Sequence, residues 1–278
     1  MKLVTFRRPG AAFSQVGAVE GSQVKVLASY PDIIAALGTT LERLQRSAAV
    51  AASEPLDSVE LLAPIPRPSK LICIGLNYRD HAIESNMAMP KTPTVFCKFT
   101  TSIIGQHVPV VLPKVSTTPD YEAEFAFVIG KGGRYIKAEN WRDHVMGYTI
   151  VNDVSARDIQ LATSQWIMGK TFDTFAPMGP YVTTADEIAD PHNLSISLTL
   201  NGVVLQNSNT SELIFKIPEL IEHLSSVFTL ETGDVISTGT PAGVGFARKP
   251  PILLKPGDDM IVKVEGLGEL RNPVVGEA

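Results

Sequence analysis

At 278 residues the chain is long enough to bury a sizeable core, and 44% hydrophobic with 19% charged residues excludes a disordered polypeptide. A net charge of −5 excludes a general nucleic-acid binder, which needs a clustered basic surface. No stretch approaches the ~20 apolar residues that span a bilayer, and the opening Met1 to Gly10 lacks the apolar run of a secretory signal, so a cytoplasmic protein without a membrane partner is expected. Cys73 and Cys97 sit apart in apolar strand-like runs with no CxxC spacing, and both read as buried, reduced thiols.

In chain order, residues 1–62 read as a small N-terminal α+β module. It opens on a strand over Lys2 to Phe6 and a hairpin across Glu20-Gly21. Asp32 then caps a helix from Ile33 to Leu37 that Gly38 stops, and an alanine-rich helix runs from Leu41 to Ala52. Pro64, Pro66 and Pro68 make a stiff link into a larger domain over 63–278. There the predicted strands are Leu71 to Gly75, Thr94 to Lys98, Val108 to Leu112, Phe125 to Ile129, Val145 to Val151 and Leu194 to Leu200. Asn201-Gly202 is the strongest hairpin signal, and Ile217 to Phe228, with Pro218 in its first turn, is the clearest helix. The balance predicts a β-dominated α+β fold.

The chemistry gathers in the middle of the chain. Glu122 and Glu124 open the apolar run through Ile129 at i and i+2, so on a strand both point to one face. Two adjacent carboxylates at the mouth of an apolar strand are costly unless a cation or a shared proton neutralises them. Asp153 ends the apolar run Val145 to Val151, just before Ser155 and Asp158 in a capping-box-like pattern, and is positioned to be a third oxygen ligand. All-oxygen ligation by three carboxylates suits Mg²⁺ or Mn²⁺, with Ca²⁺ a further option, and leaves coordination positions open for water or substrate. Taken alone, the same spacing equally suits solvated strand-end charges and a helix cap.

Three further groups add to this. Arg157 and Gln160 share a helix face, which suits either a fork for a substrate carboxylate or a surface salt bridge. His81 and Glu84, three apart after Gly75-Leu76-Asn77-Tyr78, suit a dyad that takes a proton from water, although such a pair taken alone is more often a solvated helix face. The stretch Ser237 to Gly245 fails the dinucleotide spacing, yet its backbone and the Thr240 hydroxyl would suit a carboxylate; Gly169-Lys170-Thr171 lacks the glycine a phosphate loop needs.

Together, Ile74-Gly75-Leu76-Asn77-Tyr78 with His81 and Glu84, Glu122-Ala123-Glu124, Asn152-Asp153 through Gln160, Gly169-Lys170 and Ser237 through Gly245 resemble the fumarylacetoacetate hydrolase family, in the family's order. The resemblance implies a mixed β-roll core and usually a homodimer. It also implies Glu122, Glu124 and Asp153 as metal ligands, His81 and Glu84 as a lid-borne dyad, Lys170 as the active-site lysine, and Arg157, Gln160 and Thr240 at substrate-contacting positions. Where the larger eukaryotic hydrolase has a fourth metal carboxylate, this chain has Asn77, which points to the smaller branch resembling acylpyruvate and diketo-sugar-acid hydrolases.

The function expected from this is metal-dependent hydrolysis of a carbon-carbon bond in a small anionic 2,4-diketo acid such as an acylpyruvate. Oxaloacetate decarboxylation and keto–enol tautomerisation use the same enolate-stabilising centre and are the alternatives. A metal-stabilised binding protein is the non-enzymatic one.

Overall fold

The computed structural model describes residues 1–278. Its main element is a 12-stranded mixed sheet. From one edge the order runs Ser53–Pro55, Gln23–Val26, Gln15–Glu20, Lys2–Arg7, Ala176–Thr184, Val145–Asn152, Ala123–Ile129, Val235–Ser237, Leu71–Gly75 and Thr94–Lys98, with two short strands off this path. A 5-stranded sheet, Val203–Asn209, Ser195–Leu200, Asp259–Val264, Gly268–Gly276 and Val110–Leu112, covers one face. The result is the strand-rich α+β architecture that the composition of elements predicts.

The strand Ala123–Ile129 is central, and every residue in it is buried. Its alternate side chains Phe125, Phe127 and Ile129 face the smaller sheet and meet Ile196, Leu198, Met260 and Val262. Ala126 and Val128 face the other way, towards Leu3, Val16, Leu37, Leu71, Cys73 and Met178. Burying one such large apolar side chain stabilises by roughly 1.5–3 kcal/mol, so this pleat fixes which way Glu122 and Glu124 point. The N-terminal residues enter the same sheet through the pairing Lys2↔Thr183 and share this second core with the centre of the chain.

Local expectations hold where short-range geometry decides. Asp32 caps Ile33–Leu37 by accepting from Ala35 N–H at 2.8 Å. In the helix Ile217–Val227, Ile217, Leu220, Ile221 and Leu224 make the buried stripe, and the Glu219 carboxylate accepts from Lys216 N–H at 2.7 Å. No helix is long and apolar enough to cross a membrane.

Four expectations are corrected. The alanine-rich helix stops at Ala49 rather than Ala52, and the strand expected from Val108 begins at Val110. Cys73 is buried as expected, but Cys97 is exposed, because Thr94–Lys98 is an edge strand paired only with Leu71–Gly75 and nothing covers its outer face. The capping box after Asp153 does not form: the helix is only Arg157–Gln160, Ala156 stands at its cap, Ser155 Oγ donates to the Asp153 carbonyl at 2.9 Å, and Asp158 instead accepts from Ser116 and Thr117.

Candidate active site

Strand register brings the acids together. Ala123 pairs with Asn152, so Glu122 and Asp153 lie side by side where the two strands end, with Asp153 N–H donating to the Glu122 carbonyl at 2.9 Å. Glu124, two residues on, falls on the same face. One oxygen from each of Glu122, Glu124 and Asp153 lies within 4.8 Å of the others, and all three residues are buried.

Cations surround this cluster. Lys170 Nζ bridges Glu122 at 2.6 Å and Asp153 at 2.8 Å. Arg157 contacts Glu122 through Nη1 at 2.6 Å and Asp120 through Nη2 at 2.8 Å, and also donates to Gln160 Oε1 at 3.0 Å. Lys98, fully buried, pairs with Asp153 and donates to the Val154 carbonyl at 2.9 Å. Glu124 has no cation in contact. It accepts from the Ser237 hydroxyl and from Gly239 N–H at 3.1 Å. Gly239 reaches that position at φ +98, where a Cβ would come within 2.8 Å of the Ile74 carbonyl oxygen, so a side chain is excluded.

The electrostatics split the trio. Burial alone would raise the Glu122 carboxyl, but Lys170 and then Arg157 outweigh it and bring it down to about 2. Glu124 goes the other way: burial first, then the charges of Asp153 and Glu122, push it well above the usual carboxylate range. Three charged carboxylates at this spacing therefore need more positive charge than the side chains supply. A divalent ion provides it, and the all-oxygen donor set, with Glu124 lacking a cationic partner, fits one.

The remaining predicted residues converge on the same cavity of about 410 Å³, lined by His81, Glu84, Glu122, Glu124, Arg157, Gln160, Lys170 and Thr240 among others. His81 and Glu84 share the helix Arg79–Glu84, with Nδ1 3.3 Å from Oε2. Glu84 in turn accepts from Gly243 N–H at 2.9 Å. Partial burial would raise Glu84, yet the His81 and Gly243 hydrogen bonds hold it below its ordinary value. An ionised Glu84 keeps the His81 proton on Nδ1 and leaves Nε2 free to accept one. Thr240 Oγ1 accepts from Gln206 Nε2 at 2.8 Å, so its own proton is available to the cavity.

Of the two uses open to Arg157, pairing with neighbouring carboxylates is the one made. Arg157 is engaged on every face by Asp120, Glu122 and Gln160 rather than presenting a free fork. Asn77 is a backbone tie: its amide donates to the carbonyls of Phe215 at 3.0 Å and Thr238 at 2.9 Å, and its oxygen accepts from Phe215 N–H at 2.8 Å.

Sequence reading missed Asp120, Lys98 and Gln206. Asp120 continues the alternation of Glu122 and Glu124 one step back, a signal that was there to use. Lys98 offers only a charge closing an apolar strand. Gln206, whose Oε1 accepts from Ala123 N–H at 2.8 Å, gives no sequence signal at all.

The profile of the fumarylacetoacetate (FAA) hydrolase C-terminal family matches residues 70–275. A mitochondrial oxaloacetate tautomerase of Xenopus laevis is 46% identical over 289 residues, covering 99% of this chain and 90% of that protein. The crystal structure of 5-carboxymethyl-2-hydroxymuconate delta-isomerase from Mycobacterium smegmatis superposes with a TM-score of 0.83 at 38% identity, covering 100% of both chains. A maleylpyruvate hydrolase from Sphingobium sp. SYK-6, in complex with manganese(II) and pyruvate, gives a TM-score of 0.85 at 31% identity, again over 100% of both. Tautomerase, isomerase and hydrolase thus share one scaffold with this chain, which belongs to the fumarylacetoacetate hydrolase family.

Proposed function

We propose that this protein is a metal-dependent keto–enol tautomerase of small 2-oxo acids, with oxaloacetate as its leading substrate. The observation that carries the reading is the placement of His81 Nε2, freed as a base by the Nδ1–Glu84 contact, in the same cavity as Lys170, Glu122 and Glu124, with Asp153 held behind them by Lys170. The near-full-length similarity to the Xenopus oxaloacetate tautomerase supports it over the hydrolytic reading expected from the sequence.

Mg²⁺ or Mn²⁺ held by Glu122, Glu124 and Asp153 would supply Lewis acidity at the carboxylate and 2-oxo group. The side chains do the rest. His81 Nε2 takes a proton from C3, and that C–H electron pair becomes the C2=C3 bond as charge moves to the 2-oxo oxygen. The Lys170 ammonium, held by Glu122 and Asp153, faces that developing charge. The proton that His81 holds then passes to that oxygen, which gives the enol and restores the neutral imidazole, and the same steps reversed give the ketone. Gln160 and Thr240 orient the substrate carboxylate, and Arg157 acts by fixing Glu122 and Gln160.

Carbon-carbon hydrolysis is the second reading, favoured by the maleylpyruvate hydrolase similarity; there His81 would activate water instead. Enol-form oxaloacetate and acetylpyruvate, each given with Mg²⁺ and with Mn²⁺, separate the two. We expect accelerated loss of the oxaloacetate enol absorbance without release of carbon dioxide, and no acetate from acetylpyruvate. Acetate release without enol acceleration would reverse the assignment. Carbon dioxide release would instead mark a decarboxylase, and no turnover of any of these acids a binding protein. The compartment is open to the same comparison: the relative's name carries a mitochondrial location, at odds with a purely cytoplasmic one.

A further inference from the structure

One wall of the cavity is built from groups that the proton transfer does not use. Phe96 and Trp166, both half-buried, meet edge to face with ring centroids 5.7 Å apart, and both line the cavity. Trp166 lies so close to Gly75 that an added Cβ there would come within 2.3 Å of its ring, so the absent side chain is what lets the indole settle against the strand. The Phe96 ring centroid is 5.2 Å from Lys170 Nζ, which places the start of this wall at the carboxylate centre itself. Met87, Val244 and Phe246 add further apolar surface.

Charge is distributed to match. The cations lining the cavity, Arg157 and Lys170, are both committed to carboxylates, and His81 is committed to Glu84. An anionic group lying on the ring faces of Phe96 and Trp166 would lose water and meet the negative faces of their π-systems, whereas a flat apolar group would gain stacking contact. The volume of about 410 Å³ also exceeds what a four-carbon acid fills, since cavities of roughly 300–1,000 Å³ take drug-sized ligands.

We infer that Phe96 and Trp166 form a subsite for a flat, apolar substituent on the far side of the 2-oxo group, so that arylpyruvates are substrates of this site in addition to small oxo acids. The reaction is the same one, in which the C3 proton leaves to His81 and the 2-oxo oxygen gains a proton, and it needs no co-reactant. This inference rests on the tautomerase reading for its chemistry, but not for its binding.

Phenylglyoxylate, a 2-oxo acid with no C3 proton, tests the binding by itself. Titrated calorimetrically into the protein with saturating Mn²⁺, it should bind about tenfold more tightly than pyruvate, the scale of one aromatic contact. Trp166→Ala should bring that ratio to within about twofold, while Trp166→Phe keeps most of it. Equal affinities for the two acids in the unaltered protein, or a ratio unchanged in both Trp166→Ala and Phe96→Ala, would overturn the subsite. Decay of the phenylpyruvate enol absorbance then tells the two ideas apart. The binding preference without turnover of phenylpyruvate or oxaloacetate removes the tautomerase reading and the arylpyruvate activity, leaving only the subsite. Oxaloacetate turnover without the preference removes the subsite and leaves the tautomerase.

Discussion

Asp120 and Arg157 form a buried pair that joins two parts of the site. Arg157 Nε and Nη2 both reach Asp120 Oδ2, at 2.9 and 2.8 Å, while its Nη1 holds Glu122. The same Asp120 carboxylate accepts from Gly245 N–H at 2.8 Å and Phe246 N–H at 3.0 Å. The loop that carries Gly243, and through it Glu84, is thereby tied to the residue that orients a metal ligand.

Asp120→Asn keeps the shape and removes the charge opposite Arg157. Breaking a buried ion pair on one side costs about 3–5 kcal/mol, which for a chain of this size lowers Tm by about 10 °C. Thermal denaturation followed by circular dichroism reads this directly. An unchanged Tm would mean that the pair is energetically idle.

Glu124 gives a prediction with a definite sign. Its folded-state carboxyl lies well above the ordinary 4.5, so in chelator the folded protein holds a proton that the unfolded chain has released, and stability falls as pH rises from 4.5 through the raised value. Glu122, brought to about 2, contributes the opposite: stability present above 4.5 and lost as pH falls towards 2. Of these two effects, only that of Glu124 operates between about pH 5 and pH 8. Glu124→Gln should therefore flatten the decline of Tm over that range in chelator, and should also abolish the Tm gain on adding Mn²⁺, which at a hundredfold excess over Kd is about 2.7 kcal/mol for the unaltered protein. A variant that still gains Tm with Mn²⁺ would remove Glu124 from the ligand set.

The dyad is tested by rate. His81→Ala should lower kcat for enol–keto conversion by on the order of 10²-fold or more, the usual scale for a proton-transfer group. Glu84→Gln should lower it less, because the imidazole remains but loses its ionised partner. Mn²⁺ affinity should be the same in both variants, since neither residue belongs to the trio. A large loss of Mn²⁺ binding would show that the carboxylate centre, and not only the proton transfer, was disturbed.

Asn77 invites a substitution that family likeness alone would favour. Asn77→Asp offers a fourth carboxylate, but it removes the amide that donates to Phe215 and Thr238 and sets a carboxylate against their carbonyls. Each buried group left unpaired costs about 1–3 kcal/mol. The expected outcome is a lower Tm in chelator and no gain in Mn²⁺ affinity; tighter Mn²⁺ binding would show that the position is a ligand site after all.

Much of this was legible in the sequence, and for a physical reason. The side-chain alternation of a strand and the three-residue spacing of a helix face are set by local backbone sterics, so Glu122 and Glu124 on one face and His81 beside Glu84 follow from spacing alone. The Asp32 cap and the stripe of Ile217, Leu220, Ile221 and Leu224 are local in the same sense. The family motifs then selected one use for those pairs among several.

What lies across the sheet was decided only by tertiary structure. Asp153 meets Glu122 because Ala123 pairs with Asn152, and a slip of one residue would turn that strand's side chains to the opposite face. Lys98 and Gln206 reach the centre through packing between distant segments, and Cys97 is exposed because its strand happens to be an edge. Of the two uses that the sequence leaves open for Arg157, substrate fork or salt bridge, the second is filled by Asp120 and Glu122, which only the fold brings near. Local periodicity fixes which face a side chain takes; register and packing fix what it finds there.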